Sequence, residues 1–353
     1  MVYTPAMKDL RKITFGRTGL QVSQVAYGGI PIQRLGRPEG VRLVREVLEL
    51  GVNFIDTAHG YGHSEELIGE AIHGLPRDGL VLASKSPALD KKTFLEQLEL
   101  SLKRLRTDCI DVYQHHNIGS DEKMGRIMGR DGAFEGMQAA VKAGKVRFPG
   151  FSSHSCRVAV EVMKTGLFDS VQIPFNFVDT EALDEALPVA RAMNLGVIAM
   201  KPLGGGLLDD AGLCFRFLNQ FEDIVPDPGI EHIDQMRQII ALAVEGRRLS
   251  EDDRLKIEAL REELGADWCH RCDYCQPCPQ GIGISAVLAA RSATVRMPRD
   301  KAEAMLGPSM LKAADCTECG QCAERCPYRL DIPALLKNRR GSWERYLTGR
   351  AWS

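Results

Sequence analysis

The chain has 353 residues, of which 44% are apolar and 26% charged, enough for one large barrel with a small module or for two ordinary domains. Its 45 basic and 47 acidic side chains leave a formal charge of −2, which excludes a basic footprint for nucleic acid or an anionic membrane. No apolar run approaches the roughly 18 residues of a membrane-spanning helix. The opening Met1-Val2-Tyr3-Thr4-Pro5 lacks a charged-then-apolar signal pattern, so a cytoplasmic location is expected.

Eight short apolar runs follow one another at 25–27, 52–57, 80–84, 109–114, 146–151, 170–174, 196–200 and 223–226. Helical spacing fills the gaps: Val41, Val44, Val47 and Leu48 make one apolar face, and Leu95, Leu98, Leu102 and Leu105 another,. The runs are nearly continuous in apolar character, as expected of parallel strands buried on both faces. Eight strand–helix units over residues 1–246 predict an α/β fold, a (β/α)8 TIM barrel. A doubly wound sheet is the alternative, but Gly204-Gly205-Gly206 lacks the G-x-G-x-x-G spacing that such a fold uses to bind a dinucleotide.

Residues 247–268 read as a loop and a charged helical connector carrying Leu255, Ile257, Leu260 and Leu264. Residues 269–353 form a small, helical, cysteine-bearing domain. Of the 11 cysteines, Cys109, Cys156 and Cys214 are scattered and read as small buried apolar residues, whereas the other eight lie between Cys269 and Cys326,. Such clustering in a large chain without a secretion signal points to metal ligation rather than disulfides.

Cys316-x2-Cys319-x2-Cys322-x3-Cys326-Pro327 is the bacterial ferredoxin run, which gives three thiolates to one [4Fe–4S] cluster and its fourth to a second. The partner run is Cys269-x2-Cys272-x2-Cys275-x2-Cys278-Pro279. The expected sets are therefore Cys269, Cys272, Cys275 and Cys326 around one cluster, and Cys316, Cys319, Cys322 and Cys278 around the other. Two structural zinc sites are the competing reading, since C-x2-C pairs also bind zinc. Four cysteines per run, each closing in Cys-Pro, favour clusters and an electron-transfer role.

In the barrel, catalytic groups belong at the C-terminal ends of strands. Asp56 stands at the end of the second run, Tyr61 in the loop after it, Lys85 at the end of the third and His116 at the end of the fourth. A phenol with an ordinary pKa of about 10 is a poor acid near neutrality. A Lys85 cation, kept charged by Asp56, favours its ionised form and makes Tyr61 a usable proton donor. His116 could orient a carbonyl oxygen or relay a proton. His59, His63 and His154 lie near the same mouth and read as solvated loop residues.

This constellation resembles the aldo-keto reductase family from Phe15-Gly16-Arg17-Thr18-Gly19-Leu20 to near residue 245. The matching motifs are Asp56-Thr57-Ala58-x-x-Tyr61-Gly62-x-Ser64-Glu65, the Lys85 strand end, and Asp111-Val112-Tyr113-Gln114-His115-His116. With Gly28-Gly29-Ile30-Pro31-Ile32-Gln33 and the cysteine-rich tail, the whole chain is similar to the branch with a C-terminal ferredoxin-like double-cluster domain. The resemblance implies a tetrad of Asp56, Tyr61, Lys85 and His116, with Tyr61 protonating a carbonyl while NADP(H) or NAD(H) delivers hydride. It implies that Ser152, Ser153 and Gln172 meet the nicotinamide carboxamide, with Ser153 replacing the usual asparagine. Lys201, Leu203 and Gly204 would lie along the pyrophosphate. Met200 stands where a stacking tyrosine is common, and Arg237 is the nearest cation to a 2′-phosphate.

The leading functional expectation is an oxidoreductase acting on a small-molecule carbonyl or alcohol, fused to a two-cluster electron-transfer module. Nicotinamide moves two electrons as hydride and clusters move one at a time, and no flavin signal bridges them. A nicotinamide-independent reductase fed by a ferredoxin-like partner is therefore the alternative, and a non-enzymatic redox-sensing or docking protein a third. Segments 117–134 and 207–221 are the expected mouth loops that would set the substrate.

Overall fold

In the computed structural model, which describes residues 10–350 and Trp352, each of the eight apolar runs contains or overlaps a strand. They are β1 (Tyr27–Gly28), β2 (Phe54–Asp56), β3 (Val81–Ser86) and β4 (Ile110–His115). β5 (Val146–Ser152), β6 (Ser170–Pro174), β7 (Gly196–Met200) and β8 (Ile224–Asp227) follow. Each pairs in parallel with its chain neighbours in one eight-stranded sheet. A parallel bridge between Gly28 and Gly229 joins the first edge to the last, so the barrel is nearly closed.

The crossovers are α1 (Arg37–Glu49), α2 (Ser64–Ile72), α3 (Lys91–Leu105), α4 (Ala133–Lys142), α5 (Cys156–Lys164), α6 (Ala186–Ala192), α7 (Ala211–Leu218) and α8 (Ile233–Glu245). Polar caps start several of them. Asp90 accepts from Thr93 N–H, Ser155 from Val158 N–H and Asp210 from Leu213 N–H, satisfying donors that a helix start leaves open. On α3 the buried stripe is Phe94, Leu98, Leu102 and Leu105; Phe94, not Leu95, anchors it. Segment 117–134 carries an extra helix, Asp121–Met128. Segment 207–221 is mostly α7, a barrel crossover rather than a free mouth loop.

A short antiparallel hairpin, Lys12–Thr14 with Gln21–Ser23, precedes β1. It carries Phe15 into the N-terminal end of the barrel, where its ring meets Phe54 edge-on at 5.3 Å between centroids. A Cβ on Gly196 would stand 2.4 Å from the Phe15 ring, so this plug requires glycine there. Phe15, Phe54, Val81, Ala83, Val112, Ile198 and Val225 make an apolar barrel interior. Nearer the C-terminal ends the interior turns polar, with Asp56, Lys85, Gln114 and Gln172 all buried.

The chain divides into two compact units at Leu249/Ser250. The second begins with α9 (Glu251–Gly265), whose start is closed by reciprocal Ser250–Asp253 hydrogen bonds. It continues with α10 (Ile284–Leu288), α11 (Ala290–Arg296), α12 (Arg299–Lys312), α13 (Gln321–Glu324) and α14 (Ile332–Leu347). Ile284, Val287, Leu306, Leu336 and Trp343 form its core, and Cys269, Cys278, Cys316, Cys322 and Cys326 pack against that core. Among the described residues, no helix is long and apolar enough to cross a membrane.

Candidate functional site

The loop after β2 is shaped by its own polar residues. Thr57 Oγ1 and Ser64 Oγ lie 2.8 Å apart, and Ser64 Oγ donates to Gly29 O at 2.7 Å. Glu65, 1% exposed, accepts from Ser84 Oγ at 2.6 Å and from Arg104 at 3.3 Å. Thr57, Ser64 and Glu65 thus pin the loop to Gly29, just after β1, and to β3. Tyr61, held by its N–H on Ala58 O and by Ser64 N–H on its own carbonyl, stands on that fixed loop.

Four expected residues come together at this mouth. Lys85 Nζ donates to Asp56 Oδ2 at 2.5 Å and to Thr57 O at 2.7 Å, and lies 5.1 Å from the centre of the Tyr61 ring. The His116 ring meets Tyr61 nearly edge-on, at 5.7 Å and 80°, and its backbone N–H is tied to Ser86 O. Burial opposes the charge on Lys85, but the Asp56 carboxylate beside it more than restores it and holds the ammonium above the usual lysine range,. Burial lowers His116 well below the ordinary imidazole range, and the cations Lys85 and Lys123 lower it further. The arrangement presents a neutral imidazole and a phenol backed by a fixed positive charge. His115, its neighbour, instead lies among Phe94, Phe134 and Phe168.

The residues expected around a nicotinamide divide into two groups. Gln172 is at the mouth, donating to Asp227 Oδ2 at 2.9 Å and Asp56 Oδ2 at 3.3 Å, while its Oε1 is buried with no protein partner. Ser152 Oγ accepts from Asn117 N–H. Ser153 is fully buried and its hydroxyl is engaged by Ile118 O, Ser155 O and Ser155 N–H, so its bonds serve the loop. Lys201, with φ +58°, opens the turn that runs through Leu203 and Gly204. Its Nζ lies 3.1 Å from Nδ1 of His154, which is a half-buried partner rather than a solvated loop residue. Arg237, on α8, is paired with Asp234 at 2.7 Å.

Asp227 escaped the sequence reading, which ended the eighth run at Pro226. It closes β8 and joins the Asp56–Gln172 group. The available signal was the rule that selected Asp56, an acidic residue at a strand's C-terminal end.

In the second unit the thiols line two cavities. Cys269, Cys272, Cys275 and Cys326 share one with Tyr328 and Leu330. Cys278, Cys316, Cys319 and Cys322 share the other, which Cys275 also borders. Between the cysteines the backbone enters the left-handed region at Arg271, Asp273 and Glu318, a conformation that costs non-glycine residues energy and coils the chain around the cavity. Burial and the facing thiols Cys269 and Cys272, with Asp273, raise Cys275, so this sulfur resists ionisation until a cation joins it. Among the described residues, no three His, Cys, Asp or Glu side chains are arranged around a single ion. The donor set, eight thiols in two cavities, fits two inorganic clusters.

The model of the aldo/keto reductase family matches residues 14–216, and that of a 4Fe-4S dicluster domain matches residues 268–331. The protein named uncharacterized oxidoreductase YrpG of Bacillus subtilis is 33% identical over 227 residues, covering 56% of this chain and 68% of that one. L-galactose dehydrogenase of Arabidopsis thaliana is 28% identical over 224 residues, 58% of this chain and 69% of that one. An aldo-keto reductase from Klebsiella pneumoniae, solved in complex with NADPH, superposes with a TM-score of 0.60 at 24% identity, covering 71% of this chain and 95% of that one. The holo form of aldo-keto reductase AKR11C1 from Bacillus halodurans gives 0.61 at 24% identity, covering 71% and 96%. These structural likenesses concern the fold. With its nearly closed parallel barrel and a family match over more than half its length, the chain belongs to the aldo/keto reductase family, an oxidoreductase that also carries a 4Fe-4S dicluster domain.

Proposed function

We propose that the barrel mouth reduces a small-molecule carbonyl, or oxidises the corresponding alcohol, with Tyr61 as the proton donor. The seating of Lys85 between Asp56 and the Tyr61 ring carries this reading. Negative charge builds on the phenol oxygen as its proton leaves, and a fixed ammonium nearby stabilises it. His116, neutral and beside the ring, is placed to donate a hydrogen bond to the carbonyl oxygen and orient it. NAD(P)H, when bound, supplies the hydride. Gln172, whose free Oε1 suits an amide donor, and Ser152 would hold its carboxamide end. The Lys201–Gly204 turn would meet the pyrophosphate. Arg237 already holds Asp234, so a 2′-phosphate there exchanges one anion for another, and NADPH gains little over NADH.

Tyr61→Phe keeps the ring and removes the proton. It should lower carbonyl reduction by about a hundredfold or more while iron content stays unchanged. Full activity in that variant would overturn the assignment. For the clusters, the proposed sets are Cys269, Cys272, Cys275 and Cys326, and Cys278, Cys316, Cys319 and Cys322. Cys322→Ala should lose one cluster's iron; an iron count equal to the parent's would contradict the pairing. A second reading has support from Cys275, which borders both cavities. Neighbouring clusters could pass single electrons from a ferredoxin-like partner, and turnover that needs such a partner but no nucleotide would favour it.

A further inference from the structure

The barrel mouth holds more negative charge than the tetrad accounts for. Asp56 and Asp227 come from β2 and β8, on either side of β1, and both reach the same amide: Gln172 Nε2 donates to Oδ2 of each. The two carboxyl groups are therefore neighbours, gathered on one amide nitrogen. Oδ1 of Asp56 and Oδ1 of Asp227 are both buried, and neither has a donor among the protein groups. Lys85 Nζ, the ammonium that binds this group, donates to Asp56 Oδ2. Two buried carboxylates held by one amide cannot both be ionised cheaply, because each destabilises the charge of the other.

We propose that Asp227 is a positioning residue of the mouth, a carboxylic acid that keeps its proton and donates it to Asp56, fixing the carboxylate on which Lys85 rests. Geometry assigns the proton to Asp227. Asp56 carries the short ion pair with Lys85, whereas among the described residues no cation is seen donating to Asp227. Burial raises Asp227 well above the carboxylate range, with Asp56 adding to that and Lys85 opposing it. The other groups facing it are consistent with a neutral acid. Tyr27 of β1 is a buried phenol that burial pushes up, and Met200 of β7 is the register partner of Asp227. Gly28 is the register partner of Asp56 on β1, and a Cβ there would stand 2.8 Å from Asp227 Oδ1. Glycine therefore leaves room for the second carboxyl beside the first. The proposed role adds one member to the chain Asp227–Asp56–Lys85–Tyr61, and it rests on the reading of Tyr61 as the proton donor.

Infrared spectroscopy of the full, cluster-loaded chain tests the proton directly and needs no turnover. The parent at neutral pH should show the C=O stretch of a neutral carboxylic acid that Asp227→Asn lacks. Identical carboxyl bands in the two proteins would overturn the proposal. Kinetics test the positioning. Asparagine can donate to Asp56 as the protonated acid does, so Asp227→Asn should keep kcat within about threefold and leave the pH–rate profile in place. Asp227→Ala, which leaves Asp56 without that donor, should lose about tenfold or more in kcat with a displaced profile. A profile displaced in Asp227→Asn would mean that the parent residue is ionised, and an unchanged Asp227→Ala would mean that it positions nothing; either result overturns the proposal. If the parent reduces no carbonyl, the reading of Tyr61 fails while the infrared comparison still decides the state of Asp227.

Discussion

His115 and His116 are adjacent in the chain, yet one ring sits among Phe94, Phe134 and Phe168 and the other stands edge-on to Tyr61. For His115, burial alone lowers the imidazole to about 3. The unfolded chain then binds a proton below about pH 6.5 that the native barrel refuses, so stability falls as pH drops from there towards 3, by up to about 1.4 kcal/mol per pH unit. His115→Leu should flatten this slope between pH 7 and 5, as read by denaturant unfolding followed by far-ultraviolet circular dichroism; an unchanged slope would contradict it. His116 is also held neutral, so the pH–rate profile should show no limb from it near 6.5. A limb there that disappears in His116→Gln would contradict this, because it would show the ring titrating near its ordinary value.

The loop between β2 and α2 is where sequence motif and local structure meet most closely. Thr57, Ser64 and Glu65 hold it through hydrogen bonds to Gly29, Ser84 and Arg104, so the tyrosine's position depends on groups that do no chemistry. Ser64→Ala removes two buried contacts and should cost about 1–3 kcal/mol of stability and lower kcat, since Tyr61 hangs from the same turn. A variant as stable and active as the parent would show that the loop is held otherwise. The strands were legible because burial on both faces demands unbroken apolar runs, and Asp56, Tyr61, Lys85 and His116 because polar residues interrupt those runs at one end. Asp227 was not, because its run seemed complete at Pro226 and its partners are brought to it only by barrel closure. The anchoring of α3 on Phe94 rather than Leu95 was equally hidden, since both give an apolar stripe and only packing against Tyr113 and His115 chooses between them. Segment 207–221 reads as a mouth loop in sequence because Asp209, Asp210 and Gly212 at its start mask the short crossover helix that Asp210 caps.

The chain joins an aldo/keto reductase barrel to a 4Fe-4S dicluster domain, and its three tryptophans, Trp268, Trp343 and Trp352, all lie in the second unit. Trp343 is buried in the core against which five of the cluster cysteines pack. Iron chelation should therefore lower the denaturant midpoint read by tryptophan fluorescence, because metal ligation contributes directly to folding; an unmoved midpoint would mean that the clusters do not brace this core. The pairing of the two units leaves one question above the others, whether hydride enters the barrel without passing through iron. An anaerobic titration of the cluster-loaded protein with NADPH and then NADH, following nucleotide fluorescence and cluster absorbance together, decides it. The account predicts that both nucleotides bind with similar affinity while the cluster absorbance stays unbleached. Failure of either nucleotide to bind, or bleaching of the clusters on binding, would contradict it.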